Sequence, residues 1–286
     1  MKTLVLSKTN VVNDGNNSRF RYQFSTPMKF ENGDKIALSN AQIPYSNFNI
    51  MERYRNNKFI YVHSAVPSPY NNWTVQFPDG FFSVEDMNYF LQQVMIENGH
   101  YLVNGDGENV YYIKISTNSQ RYRIQLDFFV VPSVLPTGWS NPSGWNLAVY
   151  GGRTFGINFL KSRGSFPLLI GFSYNLYGFN YTTNQAVLGD NIPSPALVNS
   201  YMITIPTLIT QSNVSSNYLS AIYAMTPNVD FGNNIIAEPY QMIFVDVNPG
   251  TYSYFDVILC SGDDGSQLLL QDNNSLIFLV LKSRDE

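Results

Sequence analysis

The sequence predicts an all-β fold: an antiparallel jelly-roll sandwich with one short amphipathic helix and long loops rich in Gly, Pro and aromatic residues. Three observations lead there. Tyr and Phe stand at twenty each, and both suit a pleated, half-buried strand better than a helix. About ten short runs of alternating or continuous apolar residues are separated by turn residues. Only one stretch repeats with the period of a helix. A jelly roll is the economical sandwich for such a chain, with the surplus length in its loops. We expect a single domain over residues 1–286, with an irregular region at about 132–195.

Thr3 to Ser7 reads as a short edge strand. Arg19 to Ser25 alternates, with Phe20, Tyr22 and Phe24 on one face and Arg19 and Arg21 on the other, which marks a strand half in water. Asn32-Gly33-Asp34 turns into a strand from Lys35 to Gln42, closed by Pro44, since proline cannot donate to a ladder. Phe59 to Val62 and Thr74 to Phe77 follow. Pro78-Asp79-Gly80 fits a type I turn and leads into the helix. There Ser83 and Asp86 form a capping-box-like start, Val84, Met87, Leu91, Val94 and Met95 share one face, and Asn98-Gly99 ends it.

Val110 to Thr117 and Arg121 to Phe128 predict a hairpin, with Tyr122, Ile124 and Leu126 facing the core. From Pro132 to Pro195 the pattern dissolves, although short strands fit Thr154 to Leu160 and Phe166 to Phe172. Nine of the nineteen glycines and six of the fifteen prolines lie there. The stretch is too aromatic for a disordered linker. Strands resume at Tyr201 to Thr210, Ala221 to Ala224 and Gln241 to Val247. Next, Phe255, Val257 and Leu259 alternate around Asp256, and Gly262 to Gly265 reads as a turn between this strand and the last. In that last strand Leu276 to Leu281 are all apolar. An antiparallel strand of that kind needs cover on both faces: a second sheet on one, and a loop layer or a neighbouring subunit on the other.

Charged residues make up 13% of the chain, about half the usual share. Asn, Ser and Thr take their place, as on a surface that packs against something. The net charge of -4 gives the whole chain no general affinity for nucleic acid. Residues 1–60, however, hold nine Lys/Arg against four acids. Cys260 is the only cysteine, so no internal disulfide forms, which fits assembly in a reducing compartment. The N-terminal apolar run is too short for a signal peptide, and no stretch reads as a membrane span.

The search for chemistry yields little. His63 and His100 lack the neighbours of a metal site. No nucleophile elbow or phosphate-cradling glycine loop is present. Asn104 to Asn109 lacks the ligand spacing of an EF-hand, and Asp263-Asp264 sits where a turn is needed anyway. No catalytic residue, cofactor or metal is expected. Trp139, Trp145, Tyr174, Tyr177 and Tyr181 are candidate aromatic contact loops, read as protein interface or as sugar-stacking platforms. Arg19 and Arg21 are the wet face of a strand, or they join Arg53, Arg55 and Lys58 in a basic patch facing nucleic acid or an acidic neighbouring protein.

Three segments are similar, in order and spacing, to one known family: Arg19 to Phe24 through Lys35 to Asn40 and on to Ile50; Phe77 to Asn88 with Val110 to Ile113; and Tyr254 to Leu259 with Leu268 to Leu270 and Leu276 to Lys282. With Leu169 to Phe172 between them, the chain resembles the penton (minor capsid) proteins of virophages and Maverick/Polinton elements, of the mavirus-like type. The resemblance implies a jelly roll whose five copies close an icosahedral vertex among double-jelly-roll major capsid trimers, with no catalytic residue. The partners it implies are the chain itself, as a homopentamer, and the major capsid protein, in a virion assembled in host cytoplasm. The alternative is a carbohydrate- or receptor-binding module on a viral spike or fibre. A glycoside hydrolase, with its carboxylates paired only in space, is a third.

Overall fold

Alternation of buried and exposed side chains produces most of the strands in this chain. The computed structural model describes residues 1–63, 71–142, 151–162, 164–194, 198–209 and 220–285. Among these residues it is mostly antiparallel β-structure with one helix longer than a single turn. Contacts divide the chain into two compact units, one made of Met1–Phe48 with Val198–Glu286 and the other of Asn49–Leu197.

The first unit contains β1 (Lys2–Leu6), β2 (Arg19–Phe30), β3 (Lys35–Pro44), β13 (Tyr201–Thr204), β14 (Ala221–Met225), β15 (Asn234–Ala237), β16 (Val245–Asp246), β17 (Gly250–Ser261) and β18 (Leu276–Lys282). They form two sheets, ordered β1-β18-β3-β15 and β14-β13-β17-β2, and β16 also pairs with β3. Because β15 and β16 both run along β3, they act as one interrupted strand. Counted so, the first strand pairs with the last, the second with the seventh, the third with the sixth and the fourth with the fifth, all antiparallel. A ribbon doubled back and rolled in this way is a jelly roll. The sequence between β3 and β13 holds the whole second unit.

Each sheet turns one face to the core: Leu4, Leu38 and Leu279 stand side by side in one, and Phe20 beside Val257 in the other. On β18, Ile277, Leu279 and Leu281 point inward and are buried; on its other face Val280 is buried as well, with Leu276 and Phe278 half-covered. The last strand is therefore covered fully on its inner face and only in part on its outer one. The phenyl ring of Phe244 lies 5.7 Å from the Lys282 ammonium on that outer face.

Several elements differ from the sequence reading. The turn at Gly262 does not join β17 to β18 as a hairpin; the two strands lie in different sheets, because each takes a partner from the far end of the chain. The strand from Tyr201 ends at Thr204, ahead of Pro206, which has no N–H for the ladder. Only Val245–Asp246 of the run from Gln241 pairs. Phe166–Leu169 is one turn of helix, with Pro167 in its first turn, where the missing donor costs nothing. Tyr122 does not face the core; it sits at φ 51° in the hairpin turn and is 78% exposed.

The second unit holds a sheet β11-β10-β4-β5 and a sheet β12-β9-β8, made from β4 (Lys58–His63), β5 (Asn71–Gln76), β8 (Ile113–Asn118), β9 (Arg123–Phe128), β10 (Gly156–Asn158), β11 (Leu176–Tyr177) and β12 (Gln185–Leu188). A hairpin of β6 (Tyr101–Val103) and β7 (Asn109–Tyr111) and the helix α1 (Val84–Glu97) complete it. The capping box forms: the Asp86 N–H donates to Ser83 Oγ at 3.1 Å, and the Ser83 N–H donates to the Asp86 carboxylate at 3.0 Å. Met87, Leu91 and Met95 are buried in the same core as Phe59, Phe77 and Phe166. The Phe166 ring stacks on Phe59 at 4.9 Å and on Phe77 at 5.4 Å. Asn88, on the polar side of the helical wheel, accepts the Ile115 N–H at 2.8 Å and so joins α1 to β8.

Candidate interaction surfaces

Arg19 and Arg21 are next-but-one neighbours on β2, so they share a face, and the register sets Arg21 opposite Asp256 on β17. Both guanidiniums donate to that carboxylate, Arg19 at 2.6 Å and Arg21 at 2.8 Å. Asp256 is buried while the arginines stay partly exposed. Its own N–H donates to Thr207 Oγ1 at 3.1 Å. Burial pushes the Asp256 carboxyl up, but the arginine hydrogen bonds outweigh it and hold the group below the usual range. The Arg21 guanidinium also lies 4.1 Å over the Tyr254 ring. Asp256 was placed on its strand from the sequence but given no role; its signal is an acid inside an otherwise apolar strand.

Arg53, Arg55 and Lys58 belong to the second unit, apart from that cluster in the chain's division. Arg53 lies 5.5 Å over the Tyr54 ring. Arg55 closes the 3-10 turn Glu52–Tyr54 in the left-handed conformation, φ 54°. Lys58 opens β4 and stands across from Gln76 of β5.

The aromatic candidates have unequal surroundings. Trp139 is half-buried against the second unit's core. Tyr177 packs edge-on against Phe172 and Phe159, and its hydroxyl donates to Asp190 at 3.0 Å. Burial first, then that carboxylate, push the Tyr177 phenol up to about 12. Tyr174 and Tyr181 are exposed. Trp145 lies outside the described residues.

The remaining candidates have structural surroundings. Asp264 accepts from the N–H and hydroxyl of Ser266, which hold its carboxyl low, and Asp263 accepts from the Asn199 N–H at 3.3 Å. Asn104 Oδ1 accepts the N–H groups of Asp106 and Glu108, tying the hairpin turn. Among the described residues no three His, Cys, Asp or Glu gather as a metal site, and no helix is long and apolar enough to cross a membrane. His63 and His100 are both buried; His100 Nδ1 is 2.8 Å from the Tyr61 hydroxyl. Cys260 is free and buried, and burial pushes its thiol up.

The outer face of the β1-β18-β3-β15 sheet is mixed: Lys35, Asn40, Gln42 and Lys282 share it with apolar residues, some of them exposed. Val5 stands across from Phe278, and Ile236 lies in the row of Leu276 through Gln42. Val5 is 44% exposed, Ile236 61%, and just beyond β15 Tyr240 and Ile243 stand in water.

No protein-family model and no curated protein matches the sequence. Among solved structures, the chain is similar to the mavirus penton protein over 99% of its own length and 98% of that chain, with a TM-score of 0.47 and 9% identity. It is also similar to a chain of the Sputnik virophage structure obtained by electron cryomicroscopy, over 100% of its length and 99% of that chain, with a TM-score of 0.40 and 12% identity.

Proposed function

We propose that this chain is a structural capsid protein, forming the pentameric vertex of an icosahedral double-stranded DNA virus particle. Its partners are further copies of itself and the major capsid protein, with packaged DNA as a third through basic N-terminal residues. It acts in the virion, after assembly in host cytoplasm. The observation that carries this reading is the exposure of Val5 and Ile236 on the outer face of the β1-β18-β3-β15 sheet, with Tyr240 and Ile243 just beyond it. Large apolar side chains held in water on a folded jelly roll mark a contact surface. A closed ring of copies hides such a surface, each copy offering two different patches. The order and spacing of the sequence segments that resemble penton proteins support the same conclusion.

The test is assembly. Mass measurement by light scattering, alone and with the major capsid protein, is expected to show a pentamer that enters particles. Ile236→Asp, which puts a charge on that outer face, is expected to leave a folded chain that no longer assembles. A wild-type chain that stays monomeric and out of particles removes the reading.

The carbohydrate- or receptor-binding alternative rests on Tyr174 and Tyr181, whose exposed rings offer faces for stacking. A glycan array answered by the wild-type chain and silent for Tyr174→Ala with Tyr181→Ala favours it.

A further inference from the structure

A cleft of about 340 Å³ opens in the second unit, lined by Glu52, Arg55, Asn57, Lys58, Gln76 and Gly164. We propose that it binds the phosphodiester backbone of nucleic acid, one phosphate seated between Arg55 and Lys58.

The walls favour an oxyanion. Among the described residues neither Arg55 nor Lys58 has an ion pair, so both cations keep their capacity for a ligand. Lys58 and Gln76 are cross-strand partners, which sets an ammonium and a side-chain amide on the same side of the sheet. The guanidinium of Arg55 adds planar donors suited to two phosphate oxygens at once. Taken together the wall carries two positive charges and the one negative charge of Glu52. That balance matches the single charge of a phosphodiester better than the double charge of a free phosphate monoester.

The cleft is also built in advance. The Arg55 N–H donates to the Glu52 carbonyl at 2.9 Å, and the Arg55 carbonyl accepts the Ser165 N–H at 2.9 Å. The Ser165 hydroxyl donates to the Tyr54 carbonyl at 3.0 Å. Gly164 runs so close to the Arg55 carbonyl that any side chain there collides with it. Left-handed backbone is unfavourable for arginine, and these bonds hold it in place. The buried Asn57 side chain, also in the lining, donates to the Phe77 carbonyl at 3.4 Å. A ligand therefore meets cations whose backbone needs no rearrangement, which lowers the cost of binding.

This site makes specific the DNA contact of the capsid reading, yet it is tested on the isolated chain, without particles. The probe is a fluorescent single-stranded oligonucleotide titrated with the full-length protein at several salt concentrations. Wild type is expected to bind with a negative slope of log affinity against log salt, each phosphate contact contributing about 0.7. Arg55→Asn keeps a residue that tolerates the left-handed backbone. With Lys58→Gln it is expected to weaken binding about tenfold at ~0.05 M salt and to flatten the slope. Lys58→Gln alone serves if the double variant does not fold. Glu52→Gln removes the opposing charge and is expected to strengthen binding, whereas Lys114→Gln, on β8, leaves it unchanged. Wild-type affinity in both cleft variants overturns the proposal, as does Glu52→Gln without effect. Binding of inorganic phosphate alone, or of an acidic peptide in place of the oligonucleotide, overturns it too.

Discussion

Asp256 and His100 are both buried ionisable groups, and they meet opposite electrostatic conditions. Asp256 sits between two guanidiniums, so its charge is matched and the ionised form persists inside. One of the two arginine charges is thereby neutralised, which reduces what Arg19 and Arg21 offer to an outside anion. His100 sits among Tyr61, Trp73, Phe155 and a second histidine, His63. Burial, and then the proximity of His63, lower its pKa to about 4. The unfolded chain takes up this proton near pH 6.5. The folded state thus gains a contribution that is complete above pH 6.5 and is lost as pH falls from there through about 4. The expected loss is about 2 kcal/mol at pH 5 relative to pH 7. Urea unfolding at the two pH values measures it. His100→Gln is expected to shrink the difference; a His100→Gln profile parallel to wild type removes the assignment.

At the scale of elements, helix α1 was fully legible because its signals agree: a capping box, a 3.6-residue apolar period and a stop at Asn98-Gly99, whose glycine takes φ 69°. What the wheel did not reveal is that Asn88, on the polar side, satisfies the backbone of β8. Asn88→Ala leaves the Ile115 N–H without that acceptor and is expected to cost about 1–2 kcal/mol, several times the cost of a neutral surface change, as measured by denaturant unfolding; a loss under 0.5 kcal/mol refutes the role. Strands β2, β17 and β18 were legible for the same reason as α1, since alternation or continuous apolarity is local information. The short helix Phe166–Leu169 was not, because an apolar run without a period fits a buried strand and a buried helix equally. Strand β15 is too short to show alternation, and of the run read as a strand from Gln241 to Val247 only the two residues of β16 pair. The basic candidates were legible as residues and not as sites: the carboxylate that pairs Arg19 with Arg21 lies on β17, more than two hundred positions away.

At the scale of the molecule, the instructive feature is how the jelly roll accommodates a second unit. Its eight-strand pairing takes no strand from the β3-to-β13 connection, so that connection can lengthen at small entropic cost. Loop-closure entropy grows only as the logarithm of length, about 0.6 kcal/mol per doubling. The insertion Asn49–Leu197 has what an independent unit needs: its own core cluster, its own sheets, and a helix packed on β8. Its length is that of an ordinary domain. We therefore expect residues 49–197, expressed alone, to give a β-rich circular dichroism spectrum and a single cooperative unfolding transition. The oligonucleotide affinity of the Arg55–Lys58 cleft should travel with this piece, since every lining residue lies within it. An unfolded or aggregated fragment would instead mean that the jelly roll supplies the insertion with stability its own core lacks, and the chain would then fold as one cooperative domain.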